Sequence, residues 1–148
     1  MALYQRILVP TDGSTASQPA IEHAVSLAAI HDATIHGIYV INTASFASIP
    51  TEASWEGVSE MLESEGEEAL EEIREAAEAE GVEVECVQVD GSPSREIVRY
   101  AEDHGMDLIV MGTHGRGGID RLLLGSVAEK VVRSSEIPVL TIHGERPG

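Results

Sequence analysis

Five short apolar runs, separated by stretches of helical period, constrain this chain more than any other feature. RILVP (6–10), ATIHGIYVI (33–41), VEVECVQV (82–89), DLIVMG (107–112) and IPVLTIH (137–143) are rich in Val and Ile and bounded by turn residues. They read as buried strands. Between the first two, Ile21, Ala24, Val25 and Ala28 share one face of a helix opened by Ser17 and Pro19. Val58, Leu62, Ala69, Ile73 and Ala76 define a longer helix ending at Gly81. Ile97, Tyr100 and Ala101 mark a third, started at GSPSRE, and Val127 and Val131, with the Lys130 stem, mark a fourth. The order β-α-β-α-β-α-β-α-β predicts a parallel sheet with helices on both faces. In such sheets ligands bind beyond the carboxyl ends of the strands, where the strand order reverses. The 148 residues suit one domain, 1–148.

Charge narrows the partners. The chain carries a formal net charge of −17, from 20 Glu and 6 Asp against 8 Arg and one lysine, Lys130. Nucleic acid and anionic membrane both reward basic surface, so neither is expected as a partner. Near-complete replacement of lysine by acids keeps a surface solvated when salt is high, and predicts a halophilic protein. Fourteen of the glutamates fall between Glu52 and Glu85, with Arg74 the only base among them. Strung along a helix, they read as a solvated face; hard-cation loops need carboxylates at turn spacing. The first residues, MALYQRILVPTDGS, lack the pattern of a signal peptide, and a cytoplasmic location is expected. Cys86 is the only cysteine and reads as a small core residue.

The stretch VMGTHGRGGIDRLLLGSVAEKVV (110–132) holds Gly112, Gly115, Gly117, Gly118 and Gly125. Gly125 lies inside an apolar period that could pass for one helix, where a glycine costs about 1 kcal/mol relative to alanine. Ser126 followed by Glu129 forms S-x-x-E, the capping-box signature of a helix start. A new helix is therefore expected at Ser126, its first N–H groups facing an anion. Two phosphate fingerprints fail. The Walker pattern would need lysine where Gly118 stands, and G-x-G-x-x-G is absent. The spacing present is G-x2-G-x9-G-S.

That spacing, together with ILVPTDGS, DGSPSREIV and IPVLTI, resembles the universal stress protein family, specifically its ATP-binding branch. The resemblance covers the whole chain. It implies a three-layer α-β-α fold, Rossmann-like, with a five-stranded parallel sheet of order 3-2-1-4-5. It also implies a homodimer through the last strand, 137–143, and ATP as ligand. By resemblance, Pro10 and Asp12 would line the nucleoside, Asp12 accepting from a ribose hydroxyl. Val40 would meet the adenine with its backbone, and Met111 and Gly112 would pack near the ribose and base. Gly115, Gly125, Ser126 and Val127 would cradle the phosphates, with Mg2+ bridging the phosphate oxygens. Arg116 joins them on physical grounds, as a cation beside a triphosphate, although a solvated loop arginine is the equal alternative.

The rest of the chain is less specific. NTASFASIPTEA (42–53) has no apolar period and reads as a loop forming a flap beside the site. Trp55 reads as an anchor of the long helix. The six histidines show no metal spacing, and only His114 falls in the phosphate loop. Ser14, Ser17 and Ser126 have no histidine at a diagnostic spacing. A nucleotide-dependent regulatory dimer with little or no turnover is therefore expected, catalytic and metal residues none. A dimer that binds no nucleotide, or a slow ATPase or autophosphorylating protein, stands as the alternative. A phosphoacceptor receiver domain is excluded because Asp12 has no acidic neighbour and no lysine follows the last strand. The loop S-G-G-x-D-S of adenylating pyrophosphatases is replaced by PTDGS.

Overall fold

A computed structural model describes residues 3–14, 17–42, 52–113 and 125–143, with side chains from residue 60 onward in the long helix. In chain order the elements are β1 (Arg6–Pro10), α1 (Gln18–His31), β2 (Thr34–Asn42), α2 (Glu52–Ala79), β3 (Val84–Gly91), α3 (Pro93–Asp103), β4 (Leu108–Gly112), α4 (Ser126–Ser134) and β5 (Val139–Ile142). All four strand pairings are parallel, in the order β3-β2-β1-β4-β5. The sheet order and the helix–strand alternation agree with the sequence reading.

The period-2 alternation of the strands divides the core into two. Ile7, Val9, Ile35, Tyr39 and Val110 face α1 and α2. Leu8, Ile38, Ile109 and Met111 face α3 and α4, meeting Ile97, Ala101, Ala128 and Val131. α2 buries Gly66, Ala69, Leu70, Ile73 and Ala77 and leaves most of its glutamates in solvent, as a solvated acidic face should. A Cβ on Gly37 would stand 3.0 Å from Ile73 Cδ1 and from Cys86 Sγ, so glycine there lets α2 close on the sheet. Cys86 is half-buried against that cluster, and burial pushes its thiol above the ordinary value.

Several details depart from the sequence reading, each for a local reason. β3 begins two residues late because the Val82 N–H donates back to the Ala77 carbonyl (2.9 Å) behind a left-handed Gly81, closing α2 in a Schellman motif. Ala33 does the same to Ala28 behind Asp32 (φ 57°), which moves the start of β2 to Thr34. β3 and β5 are edge strands and only partly buried. Lys130 is exposed, and Ala128 and Val131 make the buried stripe of α4. α2 starts at Glu52, inside the expected flap; the rest of that flap, 43–51, and the Trp55 side chain lie outside the described residues. Among the described residues no helix is long and apolar enough to cross a membrane.

Candidate functional site

The chain turns from β1 through α1 to β2 on one side, and reaches β4 on the other. The sheet order therefore reverses between β1 and β4. β1 ends first. Pro10 lies level with Ile38, and the Thr11 N–H donates to the Ile38 carbonyl (3.0 Å). β2 runs on to Asn42. Backbone groups alternate sides along a parallel strand, so those of Val40 face the same side as those of Ile38, into the space beyond β1. The Ile109 N–H of β4 donates to Pro138, the residue before β5, and the Thr113 N–H, just past β4, donates to Ile142 of β5. The same alternation turns the Gly112 backbone toward β1. The result is a crevice beyond Pro10, flanked by the backbones of Val40 and Gly112.

The loop after β1 places Asp12 two residues beyond Pro10, at this end of the sheet. Gly13 sits at φ 81°, a left-handed turn that suits glycine. Its N–H donates to Thr11 Oγ1 (3.1 Å). Asp12 Oδ1 accepts from the Ser14 N–H (2.9 Å) and from the Ser17 hydroxyl (3.1 Å). Thr11 and Ser17 are buried, 7% and 6% exposed, while Asp12 is half-buried.

The opposite wall is the start of α4. The Gly125 N–H donates to the Thr113 carbonyl (2.7 Å), returning the chain to the end of β4. Gly125 is the N-cap, extended at φ −64° and ψ 160°, and, having no side chain, supplies no side-chain cap. The Glu129 N–H, bound to the Gly125 carbonyl (2.9 Å), is the first to find an intrahelical acceptor. The N–H groups of Ser126, Val127 and Ala128 therefore open toward the crevice end of the sheet with no partner in their own helix. The expected helix start is present, but the capping box is not. With Gly125 as N-cap, Ser126 is the first helical residue, and Glu129 lies one position too far on to reach back. Glu129 instead pairs with Arg133 (2.6 Å).

Of the residues expected at the site, Pro10, Asp12, Val40, Met111, Gly112, Gly125, Ser126 and Val127 cluster at this end of the sheet. Pro10 and Met111 are buried, and Val40 and Val127 rest their side chains on the α3–α4 core. Gly115, Arg116 and His114 lie outside the described residues. Sequence reading missed Ser17 as a partner of Asp12 and Thr113 as the anchor of Gly125. Pro19 two residues after Ser17 was an available signal, because it removes an N–H that a capping serine would use. Nothing local marks Thr113.

The groups whose titration is displaced lie elsewhere. His36, 8% exposed, places Nδ1 3.2 Å from the Tyr100 hydroxyl, and Tyr100 stacks on His104. Burial holds the His36 imidazole below its ordinary value, against the pull of Glu85, whose carboxylate stands 3.6 Å away and is 73% exposed. A depression at the start of β3, lined by Thr34, Glu78, Glu83 and Glu85, would repel phosphate.

Comparison with known proteins agrees with this geometry. The Universal stress protein family model matches residues 3–143. A universal stress protein of Methanocaldococcus jannaschii, MJ0531, is 46% identical over 140 residues, covering 95% of this chain and 82% of that protein. The solved structure of MJ0577, from the same organism, superposes with a TM-score of 0.87 at 32% identity, covering 99% of this chain and 100% of the other. A universal stress protein solved in complex with cAMP gives a TM-score of 0.70 at 30% identity, covering 95% and 97%. Sheet order, the loop after β1 and the glycine-led α4 thus coincide with a family match along nearly the whole chain, and the protein belongs to the universal stress protein family.

Proposed function

We propose that this protein binds ATP in the crevice between the Asp12 loop and the start of α4, and acts as a nucleotide-dependent regulatory dimer with little or no turnover. The observation that carries this reading is the pairing of opposed walls: a half-buried, hydrogen-bonded carboxylate on one side, and three outward N–H groups of α4 on the other. A carboxylate suits sugar hydroxyls, and a helix N-terminus suits phosphate. Asp12 holds the ribose, Val40 meets the base, and Gly125, Ser126 and Val127 receive the phosphates. A universal stress protein of similar fold has been solved in complex with cAMP, which supports a nucleotide as the ligand class. Mg2+, as the resemblance implies, would bridge phosphate oxygens of the bound nucleotide. The dimer forms along β5, whose outer edge pairs with no further strand among the described residues. Mass spectrometry of the small molecules that travel with the purified protein tests this reading: an adenine nucleotide supports it, and consistent absence after gentle purification opposes it.

A further inference from the structure

Ser17 is the N-cap of α1, yet it does not cap the helix. A capping serine accepts from the N–H two or three residues on. Pro19 stands at the first of those positions and has no N–H. Ser17 also has helical backbone angles, φ −79° and ψ −21°, instead of the extended ones that aim a side chain back at the helix. Its hydroxyl donates to Asp12 Oδ1 at 3.1 Å, with Ser14 Oγ 3.4 Å from Ser17 Oγ. A backbone bond from the Ser17 N–H to the Ser14 carbonyl (3.1 Å) fixes the loop that makes this approach.

Oδ1 thus takes two donors from directions set by the fold, the Ser14 N–H at 2.9 Å and the Ser17 hydroxyl. Two fixed donors on one oxygen define both side-chain torsions of an aspartate, and so the plane of its carboxylate. Loss of the Ser17 donor removes one of these two restraints on Oδ1. We propose that Ser17 is a positioning residue: its buried hydroxyl locks the Asp12 carboxylate in the orientation that grips the sugar hydroxyls of the nucleotide. This rests on the ATP-binding reading above. It adds that discrimination between ribose and deoxyribose is set by a residue that touches neither.

Two measurements on Ser17→Ala test it, with circular dichroism confirming the fold and Ser17→Thr, which keeps the hydroxyl, as the rescue variant. The first is a crystal structure of nucleotide-free Ser17→Ala. Asp12 is expected in more than one orientation; a single, unchanged carboxylate overturns the positioning role whether or not ATP binds. The second compares the Kd of ATP with those of 2′-deoxy-ATP and 3′-deoxy-ATP. Ser17→Ala is expected to weaken ATP about tenfold, the scale of one charge-assisted hydrogen bond. The deoxy analogue lacking the gripped hydroxyl should bind wild type and variant alike, and in an Asp12→Ala background Ser17→Ala should add nothing. Equal loss for all three nucleotides, or additive loss with Asp12→Ala, overturns the proposal. Wild type that binds none of them, with Asp12 disordered in the variant crystal, sinks the ATP-binding reading while Ser17 keeps its hold on Asp12.

Discussion

The Gly125 amide donates to the Thr113 carbonyl across 2.7 Å, so the chain that leaves β4 after Thr113 is back at the end of that strand before α4 begins. Gly125 itself, at φ −64°, occupies backbone space open to any residue. On the ATP-binding reading, its lack of a side chain leaves room for phosphate in front of it. Gly125→Val should keep the fold, at a cost of about 1 kcal/mol for a poorer N-cap. The same change should weaken ATP binding by about 100-fold or more. Calorimetric titration alongside thermal unfolding separates the two effects, and an unchanged affinity would remove Gly125 from the phosphate wall.

The β5 edge makes a second claim. Pro138 and Ile142 turn their carbonyls to β4, so alternation turns the Val139 and Thr141 backbone groups outward. Proline is tolerated in an edge strand where its missing N–H faces away from the ladder. Thr141→Pro should thus leave the protomer folded and convert a dimer to a monomer. Light scattering coupled to size-exclusion chromatography reads this directly; a folded dimer in the variant would place the interface elsewhere.

Salt should stabilise the protein. Raising salt from ~0.1 M to ~1 M shortens the Debye length from about 10 Å to about 3 Å, which screens the self-repulsion of a −17 surface. Tm is expected to climb steadily over that range in KCl. A flat or falling Tm would contradict the halophilic reading of the composition.

His36 predicts a pH effect with a definite sign. In the unfolded chain its imidazole takes a proton near the ordinary value of 6.5; in the fold, burial delays this to lower pH. Between the two, the unfolded state holds more protons, so stability falls as the solution is acidified and is indifferent to this group above pH 6.5. His36→Gln should flatten that part of the stability-against-pH curve. An unchanged slope would mean that another group carries it.

Fold and site were legible to different depths. Element types and layering follow from the alternation of Val- and Ile-rich runs with helical periods, because period and burial are local, whereas the strand order came from the resemblance. The resemblance supplied residues at the crevice because glycine spacing is itself a local record of backbone geometry. Boundaries were less legible: Val82 has strand-like neighbours but is claimed by the terminal motif of α2. The capping box misled because Gly125, tied to Thr113, enters the helix one residue early. The edge status of β3 depends on sheet order, which no feature of VEVECVQV encodes. Ser17 reads as a helix cap until its hydroxyl is seen on Asp12.

The most direct measurement is titration of ATP with Mg2+ into nucleotide-stripped protein at high salt, with Asp12→Ala as the control. Saturable binding of one nucleotide per protomer, weakened by Asp12→Ala, is the expected result. Heat no greater than dilution in the folded wild-type protein would contradict a nucleotide site in this crevice.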